Sequence, residues 1–422
     1  MRRARSSTTS DDAGPFPETV LVLHNRYRAV GGEDVVFDAE TALLERHGHR
    51  VVRFEVDNQG IDETGGIASR IRLAAETVWS SRSARDIGRV VAAVSPDVVH
   101  VHNFFPLLSP AVFSAARRRG AAVVQTLHNY RLVCPVASFY RDGHPCEDCL
   151  GRAVAWPGIV HKCYHRSRLA TSTVAAMVAV NRARGTWTHD VDVYIAASEI
   201  LRAKVTQGIL PANRVIASAN FVDPDPAPAS DPAGSFVFVG RLTEDKGVET
   251  LLAAWELLPP NIGLRVLGDG PLAPAVRAAA DRLPNVVAVG HLDHSLVREQ
   301  LHTARGMVFS SRLYEGGLPL SIMEAFASGL PVIASRIGAV QEIVEDDTNG
   351  LFYEPGDPTM LAARVRWLVE NEDARRRLAD GALRTYRQRF TPELGYQRLL
   401  HAYRMAIANR AVDTRQRSTA TA

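Results

Sequence analysis

The first half of the chain alternates short apolar runs with stretches whose apolar residues recur at helical spacing. An apolar run at residues 19–25 precedes a glycine-rich turn, a helical stripe over residues 33–47 and a second apolar run at residues 50–56. This order of strand, loop, helix and strand is the building unit of a parallel sheet. Further apolar runs lie at residues 97–102, 121–127, 191–197 and 214–218.

The alternation stops at residues 221–234 and then begins again. This segment holds four prolines and shows neither helical nor strand periodicity, as expected of a linker. Five buried strands are predicted beyond it, at residues 235–240, 263–268, 285–290, 306–311 and 331–335. The pattern therefore predicts an α/β protein with two doubly wound, Rossmann-like domains facing each other. Ligands of such sheets bind at the carboxyl ends of the strands, so the expected site is the cleft between the domains.

The predicted boundaries follow from these changes of pattern. In chain order they are a flexible tail at residues 1–17, an N-terminal domain at 18–220 with a cysteine-rich insertion at 134–163, the linker at 221–234, a C-terminal domain at 235–392, a helix at 393–411 and a second tail at 412–422. The helix at 393–411 is expected to return to the N-terminal domain.

Composition and charge exclude several classes of protein. The chain of 422 residues is 46% hydrophobic and 23% charged, and its net charge of +3 is too small to indicate binding to nucleic acid or to a membrane surface. The start of the chain lacks the apolar core of a signal peptide, and no apolar run is long enough to span a membrane. We therefore expect a cytoplasmic protein without a nucleic-acid partner, and peripheral contact with the inner face of the membrane stays open.

Residues 310–334 form the most informative segment, because a strand, a glycine-rich loop and the start of a helix follow one another there. Pro319 suits the first turn of that helix, where a missing N–H group costs nothing. The N–H groups of Gly317, Leu318 and Leu320 are then expected to face the cleft and, with the helix dipole, to form an anion site.

Two glutamates flank this loop. Glu324, one turn into the helix, can accept hydrogen bonds from two ribose hydroxyls, as acidic residues do in dinucleotide-binding folds. The alternative is that Glu315 and Glu324 are solvated surface carboxylates. Their position beside a strand-to-helix loop favours the functional interpretation.

A second loop, at residues 240–247, brings two cations to the start of a helix. Fixed charges on Arg241 and Lys246 suit a leaving diphosphate, whose negative charge grows in the transition state. Lys246 is one of only three lysines among 49 basic residues, and an ammonium group makes a compact phosphate contact. The alternative is an exposed lysine paired with Glu244 or Asp245.

The segment with both glutamates resembles the donor loop of retaining glycosyltransferases of the GT-B fold, family 4. Similar segments are spread along residues 18–410: GRLTEDKG at 240–247, GDGP at 268–271, VGHLDH at 289–294, SANFVD at 218–223 and the turn at Gly31 and Gly32. Eight residues separate Glu315 from Glu324, one more than in the family motif. An extra loop glycine would lengthen the turn without moving Glu324 on its helix.

The resemblance implies that these residues bind a nucleotide-diphosphate sugar without a catalytic metal. The implied binding residues are Gly31, Gly32, Arg241, Lys246, Gly316, Gly317, Leu318 and Glu324. Glu315 and His128 would orient the sugar, and Lys246 and Arg241 would also assist departure of the diphosphate. Transfer would then retain the anomeric configuration by front-face displacement, with the leaving phosphate assisting deprotonation of the acceptor.

Structural roles compete with these assignments in the N-terminal half. His128, which follows the strand at residues 121–127, is either the sugar contact or a strand-end histidine hydrogen-bonded to backbone. Gly31 and Gly32 either let the backbone approach a phosphate closely or form a tight turn only.

All four cysteines, Cys134, Cys146, Cys149 and Cys163, fall in one loop-rich insertion. The Cys-x-x-Cys spacing of the middle pair suits a tetrahedral thiolate site, and in a cytosolic protein zinc is favoured over disulfides. We expect a structural zinc that pins an insertion without a core of its own, with disulfide pairing and unligated thiols as alternatives. The insertion lies beside the expected cleft, which suggests a part in acceptor recognition.

The sequence thus predicts a hexosyltransferase that takes a sugar from a UDP- or GDP-sugar donor. The acceptor is expected to be a glycan, a lipid-linked glycan or a small molecule, and no cofactor is expected for catalysis beyond the nucleotide-sugar co-substrate. Two other classes stay open: a GT-B epimerase acting on a nucleotide sugar, and a non-catalytic binding protein whose cysteine insertion is a zinc module.

Overall fold

The chain forms two α/β domains, each built on a six-stranded parallel sheet. The computed structural model describes residues 16–28, 31–61, 66–223 and 234–420. The predicted two-domain, doubly wound α/β architecture is confirmed. Residues 1–15 of the first predicted tail, 224–233 of the predicted linker and 421–422 of the second tail lie outside the described residues.

The N-terminal domain contains eight strands and seven α-helices among its described residues. The strands are β1 (Thr19–Arg26), β2 (Arg50–Asp57), β3 (Val98–Asn103), β4 (Ala122–Leu127), β5 (Tyr140–Arg141), β6 (His144–Pro145), β7 (Val193–Ala196) and β8 (Val215–Ala217). The helices are α1 (Gly32–Arg46), α2 (Ile67–Val78), α3 (Ser81–Val94), α4 (Ala111–Arg118), α5 (Trp156–His161), α6 (Arg168–Ala183) and α7 (Glu199–Gly208). The sheet order is β2-β1-β3-β4-β7-β8, and β5 pairs with β6 in a short hairpin of the cysteine-rich insertion.

The C-terminal domain repeats this plan. Its strands are β9 (Phe236–Val239), β10 (Leu264–Leu267), β11 (Val286–Gly290), β12 (Gly306–Phe309), β13 (Val332–Ser335) and β14 (Gly350–Tyr353), in the order β11-β10-β9-β12-β13-β14. Its helices are α8 (Val248–Glu256), α9 (Ala273–Arg282), α10 (His294–His302), α11 (Leu320–Ala327), α12 (Pro358–Glu370), α13 (Glu372–Arg389) and α14 (Pro392–Ala420). The sequence predicts five strands here and misses β14, an edge strand of only four residues in which no period can be recognised.

Buried strands and the direction of the chain place the ligand edge of each sheet. Every residue of β3 and of β4 is buried, as in parallel sheets covered by helices on both faces. The chain moves from β1 to one edge and resumes at β3 on the other side, and it does the same at β9 and β12. Each sheet therefore has a switch point, where ligands of doubly wound folds bind at the carboxyl ends of the strands.

The last helix, α14, packs on the N-terminal sheet. Its Tyr403 hydroxyl lies 2.9 Å from Nδ1 of His100 on β3, and Asn409 Nδ2 donates to the carbonyl of Asp192 at 3.1 Å. The two domains are thus connected a second time at the end of the chain.

Helix α14 also corrects the predicted second tail, because it continues through residues 412–420. Asp413 explains the extension, since its carboxylate pairs with Arg117 at 2.5 Å and with Arg214 at 3.1 Å. Both arginines belong to the N-terminal domain and are distant in sequence, so local pattern does not reveal these contacts. Among the described residues, no helix combines the length and apolar character needed to cross a membrane.

Candidate active site

The carboxyl ends of the two sheets border a cleft of about 1630 Å³. Eight of the predicted site residues line it: Gly31, Gly32, His128, Arg241, Lys246, Glu315, Gly317 and Leu318. Gly316 and Glu324 lie just outside the lining, the first against the N-terminal domain and the second on α11. The structure therefore draws residues from both halves of the chain to one place.

Lys246 and Glu315 form an ion pair in the wall of the cleft. Nζ of Lys246 lies 2.6 Å from Oε1 of Glu315, and the hydroxyl of Ser311 donates to the same oxygen at 2.8 Å. Lys246 therefore pairs with neither Glu244 nor Asp245. Because an ammonium group has three donors, Lys246 can hold Glu315 and still donate to a phosphate.

Gly247 sets the path of the loop that carries Lys246. Its φ is 68°, and a Cβ atom there would overlap the carbonyl oxygen of Ser310, which follows β12. The Ser310 hydroxyl in turn donates to the carbonyl of Lys246 at 2.8 Å. The loop after β9 therefore lies directly on the end of β12, which fixes Lys246 at the ligand edge of the sheet.

The loop that carries Glu315 contacts the N-terminal domain through its backbone. The Tyr130 hydroxyl donates to the Glu315 carbonyl at 3.1 Å, and the Ser198 hydroxyl donates to the Gly316 carbonyl at 2.8 Å. A Cβ atom on Gly316 would lie 3.2 Å from the Cα of Asn129, so only a residue without a side chain permits this approach comfortably. The N-terminal wall thus helps to shape the loop that carries Glu315.

One of the N–H groups predicted to bind an anion already has a partner within the protein. The N–H group of Leu318 donates to the carbonyl of Ala197 in the N-terminal domain at 3.4 Å instead of pointing freely into the cleft. Nearby, the Glu342 carboxylate accepts hydrogen bonds from the N–H groups of Glu199 at 2.8 Å and Ile200 at 2.7 Å, at the start of α7. These contacts hold the two domains together beside the loop that carries Glu315.

Glu324, beneath the loop, has a histidine partner. Its Oε1 lies 2.8 Å from Nε2 of His294, and this hydrogen bond raises the pKa of His294 above its ordinary value. The Glu324 side chain is 17% exposed and that of His294 is 54% exposed. A ribose can therefore reach the carboxylate by displacing an exposed imidazole. Arg241, on the cleft wall, forms no ion pair with any residue that the structure describes.

The opposite wall contains the glycine turn that leads into α1. The N–H of Gly31 donates to one carboxylate oxygen of Asp34 at 2.8 Å, while the other oxygen lies 2.9 Å from Nε2 of His24. The Gly31 N–H is thus used inside the turn, as the structural alternative for this glycine expects. A Cβ atom on Gly32 would lie 3.7 Å from the Leu320 side chain, so the start of α1 lies close to the start of α11 at the cleft.

Behind this wall lies a histidine chain made of His128, His102, Glu40 and His100. Nε2 of His128 lies 3.3 Å from Nδ1 of His102, and Nε2 of His102 lies 3.4 Å from Oε2 of Glu40. Burial lowers the pKa of His128 and of His100 to about 3, and it raises the pKa of Glu40 to about 8. The side chains of this histidine chain are therefore uncharged at neutral pH.

Neutrality determines the hydrogen bonding along this chain, because a neutral imidazole has one donating and one accepting nitrogen. At 3.4 Å, Oε2 of Glu40 and Nε2 of His102 are not hydrogen-bonded, and neither atom has a hydrogen-bond partner among the described residues. A neutral His102 with its hydrogen on Nδ1 would donate to Nε2 of His128. His128 would then carry its own hydrogen on Nδ1 and present a donor to a ligand in the cleft.

Glu40, His100 and His102 are also the one group of three potential metal ligands that converge within 4.8 Å among the described residues. His100, however, uses both ring nitrogens, Nδ1 with Tyr403 at 2.9 Å and Nε2 with Thr126 at 2.8 Å. The group is accordingly better described as a hydrogen-bonded network than as a metal centre.

The four cysteines form no comparable group. All are free thiols, with Cys134 buried and Cys146, Cys149 and Cys163 partly buried. Burial raises the pKa of Cys149 to about 11, and the three neighbouring thiols act in the same direction, so the four lie near one another. In the part of the chain described, however, no three of their sulfurs lie within 4.8 Å of one another. The structural zinc stays a prediction.

Sequence reasoning missed several residues of the N-terminal wall. His24, His100 and Glu40 were not singled out, although histidines at the ends of three adjacent strands were a usable signal. Glu33 lines the cleft at the start of α1, and burial raises its pKa to about 7 against the opposing effect of Arg131. Its burial cannot be seen in a sequence.

Comparisons with known proteins agree with this architecture. Residues 233–371 match the family model of glycosyl transferases group 1. A glycogen synthase of Mycobacterium tuberculosis is 34% identical over 176 residues, which are 40% of this chain and 41% of that protein. The D-rhamnosyltransferase WbpZ of Pseudomonas aeruginosa is 31% identical over 159 residues, 37% of this chain and 41% of its own length. The chain thus matches about two fifths of the length of these curated relatives.

Solved structures extend the similarity to both domains. Sucrose-phosphate synthase from Thermosynechococcus elongatus aligns with 93% of this chain and 99% of its own, with a TM-score of 0.68 and 17% identity. HepE from Anabaena, in complex with UDP and glucose, aligns with 90% of this chain and 98% of its own, with a TM-score of 0.60 and 18% identity. These comparisons show that the whole chain shares the two-domain fold of these proteins, and that residues 233–371 are similar to glycosyl transferases group 1.

Proposed function

We propose that this chain is a retaining, metal-independent glycosyltransferase that moves a sugar from a UDP- or GDP-sugar to a glycan, a lipid-linked or a small-molecule acceptor. The observation that carries the proposal is the Lys246–Glu315 ion pair at the ligand edge of the C-terminal sheet. It lies in the same cleft as His128 and the glycine turn of the N-terminal wall. This arrangement offers cations to a diphosphate and neutral hydrogen-bonding groups to a sugar.

The cations would act on the leaving group. Arg241 and Lys246 both line the cleft, and fixed positive charges stabilise a diphosphate as its negative charge develops. Two such cations supply the neutralisation that a divalent metal would otherwise provide. The HepE structures with UDP, and with UDP-glucose, support a nucleotide sugar as the donor class.

The reaction would be a front-face displacement. The bond from the anomeric carbon to the phosphate oxygen breaks, the acceptor oxygen bonds to that carbon, and the acceptor proton passes to the leaving phosphate. Oε1 of Glu315 is held by both Lys246 and Ser311, which suits a positioning group more than a free nucleophile. The Nδ1–H donor of His128 would hold a sugar hydroxyl, and rate would come from positioning and electrostatics.

A thermal-shift panel of UDP, GDP and their sugar conjugates tests the donor class. A ligand that binds only the native state raises the melting temperature, so one base series should give a shift and the other none. Glu324→Ala should weaken nucleotide binding by about a hundredfold, because two charge-assisted hydrogen bonds to the ribose are lost.

Glu393→Ala provides the matched control, since Glu393 likewise pairs with a histidine, His47 at 3.3 Å, but lies on α14 outside the cleft lining. Absence of any nucleotide shift in the unaltered protein, or an undiminished shift in Glu324→Ala, would contradict the proposal.

A further inference from the structure

The acceptor side of the cleft is bordered by a surface of unusual charge. Residues 149–189 contain no Asp or Glu, although the whole chain has a net charge of only +3. The same stretch contains six basic residues: Arg152, Lys162, Arg166, Arg168, Arg182 and Arg184. It includes α5 and α6, and α2 packs against α6. We refer to the outer surface of α5, α6, the turn at residues 162–167 and α2 as the basic rim, to which α2 adds Arg70, Arg72 and one carboxylate, Glu76.

Three cations of the basic rim are unneutralised. Lys162, Arg166 and Arg168 are exposed and form no ion pair with any carboxylate among the described residues. Elsewhere the chain pairs its arginines readily, as Arg26 does with Glu55 at 2.5 Å and Arg375 with Glu372 at 2.7 Å. The rim therefore keeps a positive potential that is available to an external anion.

The same helices carry exposed apolar side chains. Trp156 and Leu169 are each 54% exposed, and on α2 Ile67 is 79% and Ile71 is 57% exposed. The guanidinium of Arg152 lies 5.1 Å from the centroid of the Trp156 ring. An exposed tryptophan beside cations and aliphatic residues is the composition that binds a membrane interface, where the ring sits at head-group level and cations meet anionic lipids.

The basic rim is continuous with the cleft. Asn181 Nδ2 donates to the carbonyl of Val78 at 3.0 Å, which joins the ends of α6 and α2. Both helices also contribute to the lining of the cleft, α2 through Leu73 and α6 through Leu169. A partner that binds the basic rim would therefore also lie against the opening of the cleft.

We propose that the basic rim docks this protein on an anionic lipid bilayer and so presents the acceptor side of the cleft to lipid head groups. Given the proposed function, on which this step rests, a protein docked in this way would use a lipid-linked acceptor, one of the three acceptor classes. Exposed Ile67, Ile71 and Leu169 favour a bilayer over a nucleic acid, because aliphatic side chains bury themselves at the acyl boundary but do not stack on bases.

Co-sedimentation with vesicles tests the docking. The full chain should pellet with vesicles of equal parts phosphatidylglycerol and phosphatidylcholine, and only weakly with phosphatidylcholine alone. The triple variant K162E/R166E/R168E should bind the anionic vesicles more weakly by about a hundredfold or more, because each lost cation contributes about fivefold. Trp156→Ser should weaken binding at high salt, where the apolar contribution remains.

The matched control is R277E/R384E/R387E, which makes the same change of net charge at exposed arginines of α9 and α13 in the other domain. It should bind vesicles like the unaltered protein. Equal pelleting with neutral and anionic vesicles, equal binding of both triple variants, or binding to single-stranded DNA with none to vesicles would overturn the proposal.

The assay separates this inference from the proposed function. Vesicle binding needs neither donor nor transfer, so a protein that docks but shows no nucleotide shift would contradict only the glycosyltransferase assignment. A protein that binds UDP or GDP but ignores anionic vesicles would contradict only the docking. Unchanged melting temperatures of both triple variants show that each variant is folded.

Discussion

The two walls of the cleft handle polar groups in opposite ways. The C-terminal wall contains the partly exposed ion pair of Lys246 with Glu315, and just outside the lining Glu324 is hydrogen-bonded to His294. The N-terminal wall contains the histidine chain, in which burial keeps His128 and its neighbours uncharged. Charged groups near water can exchange an internal partner for a ligand at small cost, whereas buried neutral groups are held in one arrangement. The C-terminal wall thus suits the diphosphate and the N-terminal wall suits hydroxyl groups.

The largest expected effect comes from removing the charge of the C-terminal wall. Lys246→Ala should lower the rate of transfer by about a thousandfold, because a fixed cation at the leaving group is worth several kcal/mol in a site shielded from water. Initial rates with a saturating nucleotide sugar measure this loss, and the circular dichroism spectrum should not change.

Lys204→Ala is the matched control for that variant. Lys204 also forms a single ion pair, with Glu147 at 2.7 Å, but outside the lining of the cleft. Its removal should leave transfer nearly unchanged. Similar losses in both variants would mean that Lys246 acts only through folding. The charge of the C-terminal wall would then have no part in transfer.

The next effect concerns the neutral wall and appears in stability. Burial raises the pKa of Glu40 to about 8 from an ordinary value of 4.5, so the folded state keeps a proton that the unfolded chain releases. The free energy of unfolding should therefore fall as pH rises from about 4.5 to about 8, by a few kcal/mol at roughly 1.4 kcal/mol for each unit of pKa difference. Glu40→Gln stays neutral and should lack this decline.

Urea unfolding at a series of pH values measures the difference. Glu45→Gln, on the exposed side of the same helix, should follow the unaltered protein. If Glu40→Gln shows the same pH dependence as the unaltered protein, Glu40 is already ionised and the N-terminal wall is not neutral.

The walls also differ in how far the sequence could predict them. The fold and the C-terminal site follow from local signals: apolar runs, glycine loops and cations at the starts of helices. Lys246, Arg241 and Glu315 lie in such loops, and the structure brings them to one cleft. The partner of Lys246 could not be predicted, because Glu315 is 69 residues away and the choice against Asp245 depends on the path that Gly247 imposes.

The N-terminal wall depends on contacts between distant elements. Glu40 lies on α1, His102 on β3 and His128 after β4, so their contacts form only once the sheet and its covering helix have formed. The extension of α14 has the same cause, since Asp413 finds its arginines in another domain. Burial and pairing over long separations leave no local periodicity from which they could be inferred.

The smallest expected effect tests whether the charged wall exchanges partners. The hydrogen bond to Glu324 raises the pKa of His294, so the free protein holds a proton on His294 more tightly than an unpaired histidine does. If the ribose takes over Glu324, His294 loses that partner and releases the proton on binding. Nucleotide affinity should then increase as pH rises from about 6.5, the ordinary value, through the raised pKa. Calorimetric titrations with UDP or GDP at several pH values should show this slope in the unaltered protein and in His401→Gln, an exposed histidine of α14, but not in His294→Gln. A slope that survives in His294→Gln would show that ribose and imidazole do not compete for Glu324.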